Sequence, residues 1–565
     1  MDKKRGLANV IVSIIFKVVI LLVTVLARRY MIRYIGNDVN GLNSLYISLL
    51  DFLSVAELGV GSAITFCMYK PIVDGDNKKV SALYHLFTKL YLIIGGIILV
   101  CGFILMPFLK ILAKDYQTVD VNLYLTFGIM LVSVVISYLF SAKTALINAY
   151  KNNYVTTTVF SLGQILQCGL QIIVLIFTRS FVWYLICRII SVSLQWIATE
   201  VIARIKHGGI IKDRVRIDDE TKKEVTKNIK AMFMHKIGGV LVNTADSIII
   251  STFIGIAVLG KYSNYTTIVI AMIGVLGLCF TPLTSVIGHM FVEESREQAN
   301  KYFNFFHTFN FVLGIVFFLG YYSVIDNLIT ILFAPGLELA KTISFVITVN
   351  YFIQFLRQAA MLFKDAAGTF YYDRWKPIFE GLINIGLSVL YVKIFPEELN
   401  VVGVIIATII TNVLICHIVE PYVLYKHTLL ISPKRYYLRN YIYIAVFIAA
   451  LVALNYAMVS YENQWTELFA NGGISLALSV PISLIAVVCN KDCRLYMKGM
   501  LRRLKRHKKT TNDNADEVPV SGETTIGGVG AVDGQPAAAD GSASVGVTAD
   551  SAVGGTGGDG AVIRE

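Results

Sequence analysis

Residues 16–46 read FKVVILLVTVLARRYMIRYIGNDVNGLNSLY, a run apolar enough to enter a membrane that carries Lys17 inside it and Arg28-Arg29 near its middle. About 219 residues later HKIGGVLVNTADSIIISTFIGIAVLGKYSNY, residues 235–265, echoes it without a gap. In that register Lys17 aligns with Lys236 and Ile35-Gly36 with Ile254-Gly255, while Gly41, Ser44 and Tyr46 align with Gly260, Ser263 and Tyr265. Nine of the thirty pairs from Lys17 to Tyr46 are identical, against roughly three expected from apolar composition alone. The excess points to an internal repeat, and the repeat to a chain built from two related halves.

Of 565 residues, 56% are hydrophobic and 16% charged, with a mean hydropathy of +0.65. That composition excludes a string of soluble domains and describes an all-α polytopic membrane protein. Crossing a hydrocarbon core takes roughly 20 apolar residues as a helix, because each backbone N–H and C=O must be paired within the segment. Apolar segments of that length lie near residues 8–29, 41–69, 83–109, 121–142, 153–178, 181–203, 232–256, 262–291, 303–325, 341–362, 377–395, 400–425, 438–460 and 470–489. They predict about fourteen transmembrane helices, as two pseudosymmetric six-helix bundles plus two C-terminal helices.

The expected divisions follow from polarity. An N-terminal bundle covers 1–203, a basic cytoplasmic linker 204–230, a C-terminal bundle 231–430 and two additional helices 431–500. The Gly/Ala/Asp-rich residues 510–565 cannot bury enough apolar surface to offset their ordering entropy, and predict a disordered cytoplasmic tail. The net charge of +12 is largely topological. With the amino end in the cytoplasm, roughly 35 Lys and Arg fall on cytoplasmic segments and roughly 9 on the other side, as the positive-inside rule requires. Both termini are therefore expected in the cytoplasm, and no nucleic-acid partner is needed to account for the charge. The first apolar run is long enough to span and is expected to stay as helix one rather than be cleaved.

Function classes fall away on the same grounds. No predicted outer segment exceeds a short loop, which leaves no room for the external domain of a glycan polymerase or ligase, and no GxxxxGK[ST] loop cradles a nucleotide. The eight cysteines are mostly scattered through apolar runs and read as small core residues. The chain is read as a non-enzyme without metal or cofactor. GVGSA, residues 59–63, lies in the second segment and reads as close helix packing.

Charged and polar residues inside the spans carry the functional reading. At 100° per residue Lys17, Thr24 and Arg28 form one column on the first helix. Gln164, Gln167 and Gln171 form another on the fifth, and Arg188, Ser191, Gln195 and Thr199 a third on the sixth. The seventh carries Lys236, Asn243 and Ser247 with Asp246 beside them, and the tenth Gln354, Arg357 and Gln358. A charge near the bilayer centre costs at least about 2.5–3.5 kcal/mol, so such columns face a hydrated interior or one another. Lys17, Arg28, Arg188, Lys236 and Arg357 outnumber the acids Asp51, Glu57 and Asp246, and a surplus of interior cations suits an anion, phosphate above all. Asp51 and Glu57 are candidates for ion coupling or for pairing with Arg28 or Lys17. His417 and Glu420 read as interfacial.

The stretches RRYMIRYIGNDVNGLNSLYISLLDFLSVAELGVGSAI and NTADSIIISTFIGIAVLGKYSNY resemble the oligosaccharide flippases, the Wzx-type polysaccharide transporters of the MOP (MATE-like) superfamily, and the likeness extends over residues 5–500. The resemblance implies a two-lobed bundle in the bacterial cytoplasmic membrane. It would translocate undecaprenyl-pyrophosphate-linked glycan units for polysaccharide biosynthesis, with membrane lipid around it and polysaccharide polymerase machinery as a further candidate partner. Basic cavity residues on helix one are a family feature and carry over onto Lys17 and Arg28; the second-lobe acid carries over onto Asp246 in NTAD. The predicted eighth span lacks the buried arginine of lipid II flippases, which argues against a peptidoglycan-precursor role. A drug/cation antiporter of the superfamily would instead show an acidic cavity.

Overall fold

The computed structural model describes residues 3–57, 60–213, 215–219, 221–223, 225–226, 240, 244–280, 283–369 and 372–499. Every regular element among them is a helix. The first half comprises α1 (Lys3–Ile35), α2 (Asn37–Leu53), α3 (Val60–Val73), α4 (Asn77–Leu105), α5 (Leu123–Ala149), α6 (Asn153–Thr178) and α7 (Phe181–Lys212). The second begins with α8 (Thr244–Ile254), α9 (Ile256–Phe280), α10 (Leu283–Glu293) and α11 (Arg296–Leu332). It continues with α12 (Lys341–Leu356), α13 (Gln358–Ala366), α14 (Lys376–Ile394), α15 (Asn400–Thr411) and α16 (His417–Leu424), and α17 (Lys434–Ala457) and α18 (Gln464–Cys489) follow.

Eleven stretches among the described residues, from Asn77–Leu112 to Gln464–Cys489, are long and apolar enough to cross a membrane, and they overlap eleven of the expected spans. The other three differ in form. Segment 8–29 lies within α1, and only Thr244–Ile254 of segment 232–256 is described. Segment 41–69 is not one helix: α2 ends at Leu53, a 3-10 turn covers Ser54–Glu57, and α3 starts at Val60. Gly59 and Gly61 are poor helix formers, and the Ser54 hydroxyl donates back to the Leu50 carbonyl (2.8 Å), which closes the last turn. Gly61 does serve close packing, since a Cβ there would sit 2.7 Å from the Tyr91 hydroxyl. Helix α7 continues past residue 203 to Lys212, bending at His207, so the linker region begins helical. The tail expected over 510–565 lies outside the described residues.

The repeat read from sequence reappears as paired contacts. Gly36 and Gly255, both at positive φ (93° and 143°), make the turns α1–α2 and α8–α9, a conformation only glycine adopts without strain. A Cβ on Gly41 would fall 1.9 Å from the Ile256 carbonyl oxygen, and one on Gly260 would fall 2.4 Å from the Asn37 carbonyl oxygen. Shifting one contact by the repeat offset yields the other, so α2 and α9 cross at a local two-fold axis through two glycines. The tyrosines that end the repeat act alike. Tyr46 donates to the Leu123 carbonyl (3.0 Å) at the start of α5, while Tyr265 accepts from the Leu339 N–H (3.1 Å) just before α12. Apolar side chains such as Val100, Phe103, Phe177, Phe469 and Leu484 point outward, as a lipid solvent demands.

Candidate functional site

Helices α1, α2, α6 and α7 enclose a cavity of about 150 Å³ in the first half. The α1 column contributes Thr24 and Arg28, α6 contributes Gln164, Gln167 and Gln171, α7 contributes Tyr184 and Arg188, and α2 contributes Asn43. Three of the polar columns read from sequence thus converge on one space. The rest of the α7 column packs between helices: Ser191 donates to the Gly163 carbonyl (2.6 Å), and Gln195 to Ser191 (3.2 Å). Gln171 donates to the Tyr184 carbonyl (3.3 Å) and fixes α6 against α7. Among the described residues no carboxylate lies within 4 Å of Arg28 or Arg188.

Lys17 sits two turns before Thr24 on the same helix face, is exposed, and does not line this cavity. Lys236 lies outside the described residues. Asp51 is exposed and influences Arg188 through space without pairing to it. Glu57 accepts from the Tyr91 hydroxyl (2.9 Å) and lines a separate cavity of about 730 Å³ with Thr65, Ser141, Asn148 and Asn153. Neither acid forms an ion pair with Arg28 or Lys17 among the described residues.

Arg357 is in a different setting. Its Nε and Nη2 grip the two Glu420 oxygens (3.1 and 2.6 Å), and its Nη1 donates to the Asn412 amide oxygen. Lys376 bridges Glu420 (2.5 Å) and Glu380 (3.2 Å), so two bases meet two acids. Glu420 and His417 are both 1% exposed, a correction to their interfacial reading. Their nearness in sequence to a helix end suggested the interface; in space Glu420 is drawn inward by Arg357 and Lys376, and His417 by the Ile353 carbonyl (3.0 Å).

Asp246, on α8, accepts from the Thr408 hydroxyl (3.0 and 3.3 Å), which in turn accepts from the Asn384 amide (2.8 Å). The Asn384 amide oxygen and the Ser388 hydroxyl, one turn apart on α14, are buried with no partner among the described residues. A buried carboxylate held by a hydroxyl, with unpartnered polar oxygens nearby on α14, is chemistry that suits a proton or a hard monovalent cation. Sequence reasoning missed Thr408, Asn384, Ser388, Lys376 and Glu380. A signal was available: Lys376, Glu380, Asn384 and Ser388 recur every fourth residue, one polar face in an otherwise apolar segment.

The hydrogen bonds between the two halves cluster at one end. Arg28 donates to the Ser263 carbonyl (2.8 Å), Arg29 to the Ile331 carbonyl (2.9 Å), Asn37 to the Ala257 carbonyl (2.8 Å) and Asn40 to the Gly260 carbonyl (3.1 Å). The Lys114 and Ile256 backbones, with Ser251, add to the same clasp. Arg28 is therefore both a cavity wall and a latch.

No protein-family model and no curated protein matches the sequence. Solved structures do match. The chain is similar to the lipid II flippase MurJ in an inward closed conformation, with a TM-score of 0.61 at 14% identity over 86% of this chain and 99% of that one. The two share a fold. An inward-facing multidrug resistance MATE family transporter of the MOP superfamily superposes at a TM-score of 0.57 and 14% identity, over 77% of this chain and 98% of that one. A Vibrio cholerae MATE transporter gives 0.52 and 13%, over 75% and 98%.

Proposed function

We propose that the chain is a flippase that carries a polyprenyl-pyrophosphate-linked oligosaccharide across the bacterial cytoplasmic membrane, with both termini in the cytoplasm. The carrying observation is the pair Arg28 and Arg188 in one cavity with no carboxylate on either. Two unneutralised guanidiniums and a wall of amides match a diphosphate, because guanidinium forks bind phosphate oxygens bidentately and amides complete the shell. At about 150 Å³ the cavity holds roughly five waters or one pyrophosphate head, and the glycan lies outside it. In the positive-inside orientation the clasp closes the outer end. Breaking it while the inner end closes is the alternating step, and Arg28, shared between clasp and cavity, ties that step to head-group occupancy. The oxygen set at Asp246 supplies a site for the coupling proton or cation.

The test is a reconstituted flipping assay with a fluorescent polyprenyl-pyrophosphate oligosaccharide. Arg188→Gln should slow translocation about 10- to 100-fold, the scale of a lost charge-assisted hydrogen bond, at unchanged thermal stability. Wild-type rates in Arg188→Gln would end this reading. The similar protein MurJ is a lipid II flippase, and lipid II shares the pyrophosphate handle. Competition by lipid II for the labelled oligosaccharide measures how far the glycan contributes.

A further inference from the structure

A groove of about 1160 Å³ lies away from the cation cavity, between the start of α11, the start of α17 and the end of α18. Its lining carries five bases, Lys301, Lys434, Arg435, Arg439 and Lys491, against two acids, Glu297 and Asp492. None of the five bases forms an ion pair among the described residues. Of the acids, Asp492 is occupied in holding Asn304 (2.9 Å), and Asn304 in turn accepts from Arg439. Arg439 makes no other hydrogen bond among the described residues, and its Nε is buried without a partner. The groove also has an apolar wall. Leu438 and Ile442, one turn apart on α17, line it while 67% and 49% exposed.

We infer that this groove binds an acidic glycerophospholipid of the surrounding leaflet, its phosphodiester among Arg439, Lys434 and Arg435 and an acyl chain along Leu438 and Ile442. Basic pockets between transmembrane helices on the cytoplasmic side recognise lipid head groups by this combination of charge and adjoining apolar surface. Charge complementarity selects the occupant. A zwitterionic lipid offers no net charge to a lining with a surplus of three cations, and a soluble anion makes no use of Leu438 and Ile442. The sequence past this end continues KGMLRRLKRHKK, residues 498–509, a further run of positive charge. The site is separate from the translocation cavity and stands whether or not the proposed substrate is right.

The experiment uses the purified full chain in nanodiscs of phosphatidylglycerol or phosphatidylcholine, read by thermal unfolding and by native mass spectrometry of retained lipid. Wild type should unfold at a higher temperature in phosphatidylglycerol and retain that lipid. A Lys434→Gln, Arg435→Gln, Arg439→Gln variant should retain it roughly 100-fold less well and lose the stabilisation. Lys78→Gln, Lys79→Gln removes charge from the first turn of α4, away from the groove, and should behave as wild type; equal loss there means general surface electrostatics and overturns the site. If the triple variant does not fold, Arg439→Lys, which keeps the charge and loses the fork, should still prefer phosphatidylglycerol while retaining it more weakly. Unchanged retention in the variant that folds overturns the inference. Protection by inorganic phosphate in phosphatidylcholine discs equal to that by phosphatidylglycerol would also overturn it, because it would make the groove a phosphate site.

Discussion

Arg28 and Arg188 in the first half and Arg357 and Lys376 in the second are alike in residue type and in lying within helical bundles, and they differ in what answers their charge. Glu420 and Glu380 neutralise the second pair at hydrogen-bond distance, while among the described residues no carboxylate lies within 4 Å of the first pair. A cation whose partner is built in is part of the scaffold. A cation that faces polar but uncharged groups across a cavity retains the capacity to bind an anion that comes and goes. The repeat thus keeps the glycines and tyrosines of the two-fold crossing while the two halves differ in electrostatics, with two cations that lack a carboxylate partner among the described residues on one side and an internal ion cluster on the other.

The largest effect should come from breaking the neutralised cluster. Glu420→Gln leaves Arg357 and Lys376 sharing Glu380 alone, and removing one member of a buried pair destabilises by about 3–5 kcal/mol. Thermal unfolding of the purified protein should show it, with a matching fall in membrane yield. The contrast with Arg188→Gln is the sharp point, since that change should reduce flipping and leave stability nearly untouched. If both variants lost stability equally, the two halves would not differ in the way described.

Much of this was legible in the chain itself. The repeat register gave Gly41 with Gly260 and Tyr46 with Tyr265, and these pairs make equivalent contacts because backbone approach and hydroxyl reach depend on local spacing. The columns Thr24–Arg28 and Gln164–Gln167–Gln171 likewise converge because helical periodicity fixes which side chains share a face. What periodicity does not carry is which face meets which. Arg357 was grouped with the cavity cations because its partner Glu420 lies 63 residues away and read as interfacial. The break at Ser54–Glu57 was hidden because apolar composition continues through it, although the helix does not.

An intermediate effect tests the two-fold crossing. Gly41→Ala and Gly260→Ala each put a methyl into the opposite helix's backbone, and overpacking of this kind costs about 1–3 kcal/mol. Gly41→Ala should be the worse of the two, since its Cβ would stand 1.9 Å from a carbonyl oxygen against 2.4 Å for Gly260. Cross-linking across the clasp, between cysteines placed at Asn37 and Ala257, should fall in both variants and further in Gly41→Ala. Equal cross-linking to the parent would show that α2 and α9 are not held by this crossing.

The smallest change in stability should come from Ser388→Ala, and it separates structure from coupling at the Asp246 site. The Ser388 hydroxyl is buried with no partner among the described residues, and a buried unsatisfied hydroxyl contributes nothing favourable to folding. Removing it should leave unfolding within about 0.5 kcal/mol of wild type or raise it slightly. If the hydroxyl instead completes an oxygen shell with Asp246, Thr408 and Asn384 for a transported cation, the same variant should weaken the dependence of flipping on that cation. The assay is run across sodium and proton gradients in turn, beside Asp246→Asn as the variant that removes the only carboxylate of the set. A Ser388→Ala protein with wild-type stability and a wild-type ion response would confine the Asp246 cluster to packing, and the difference between the halves would then be one of anion binding alone.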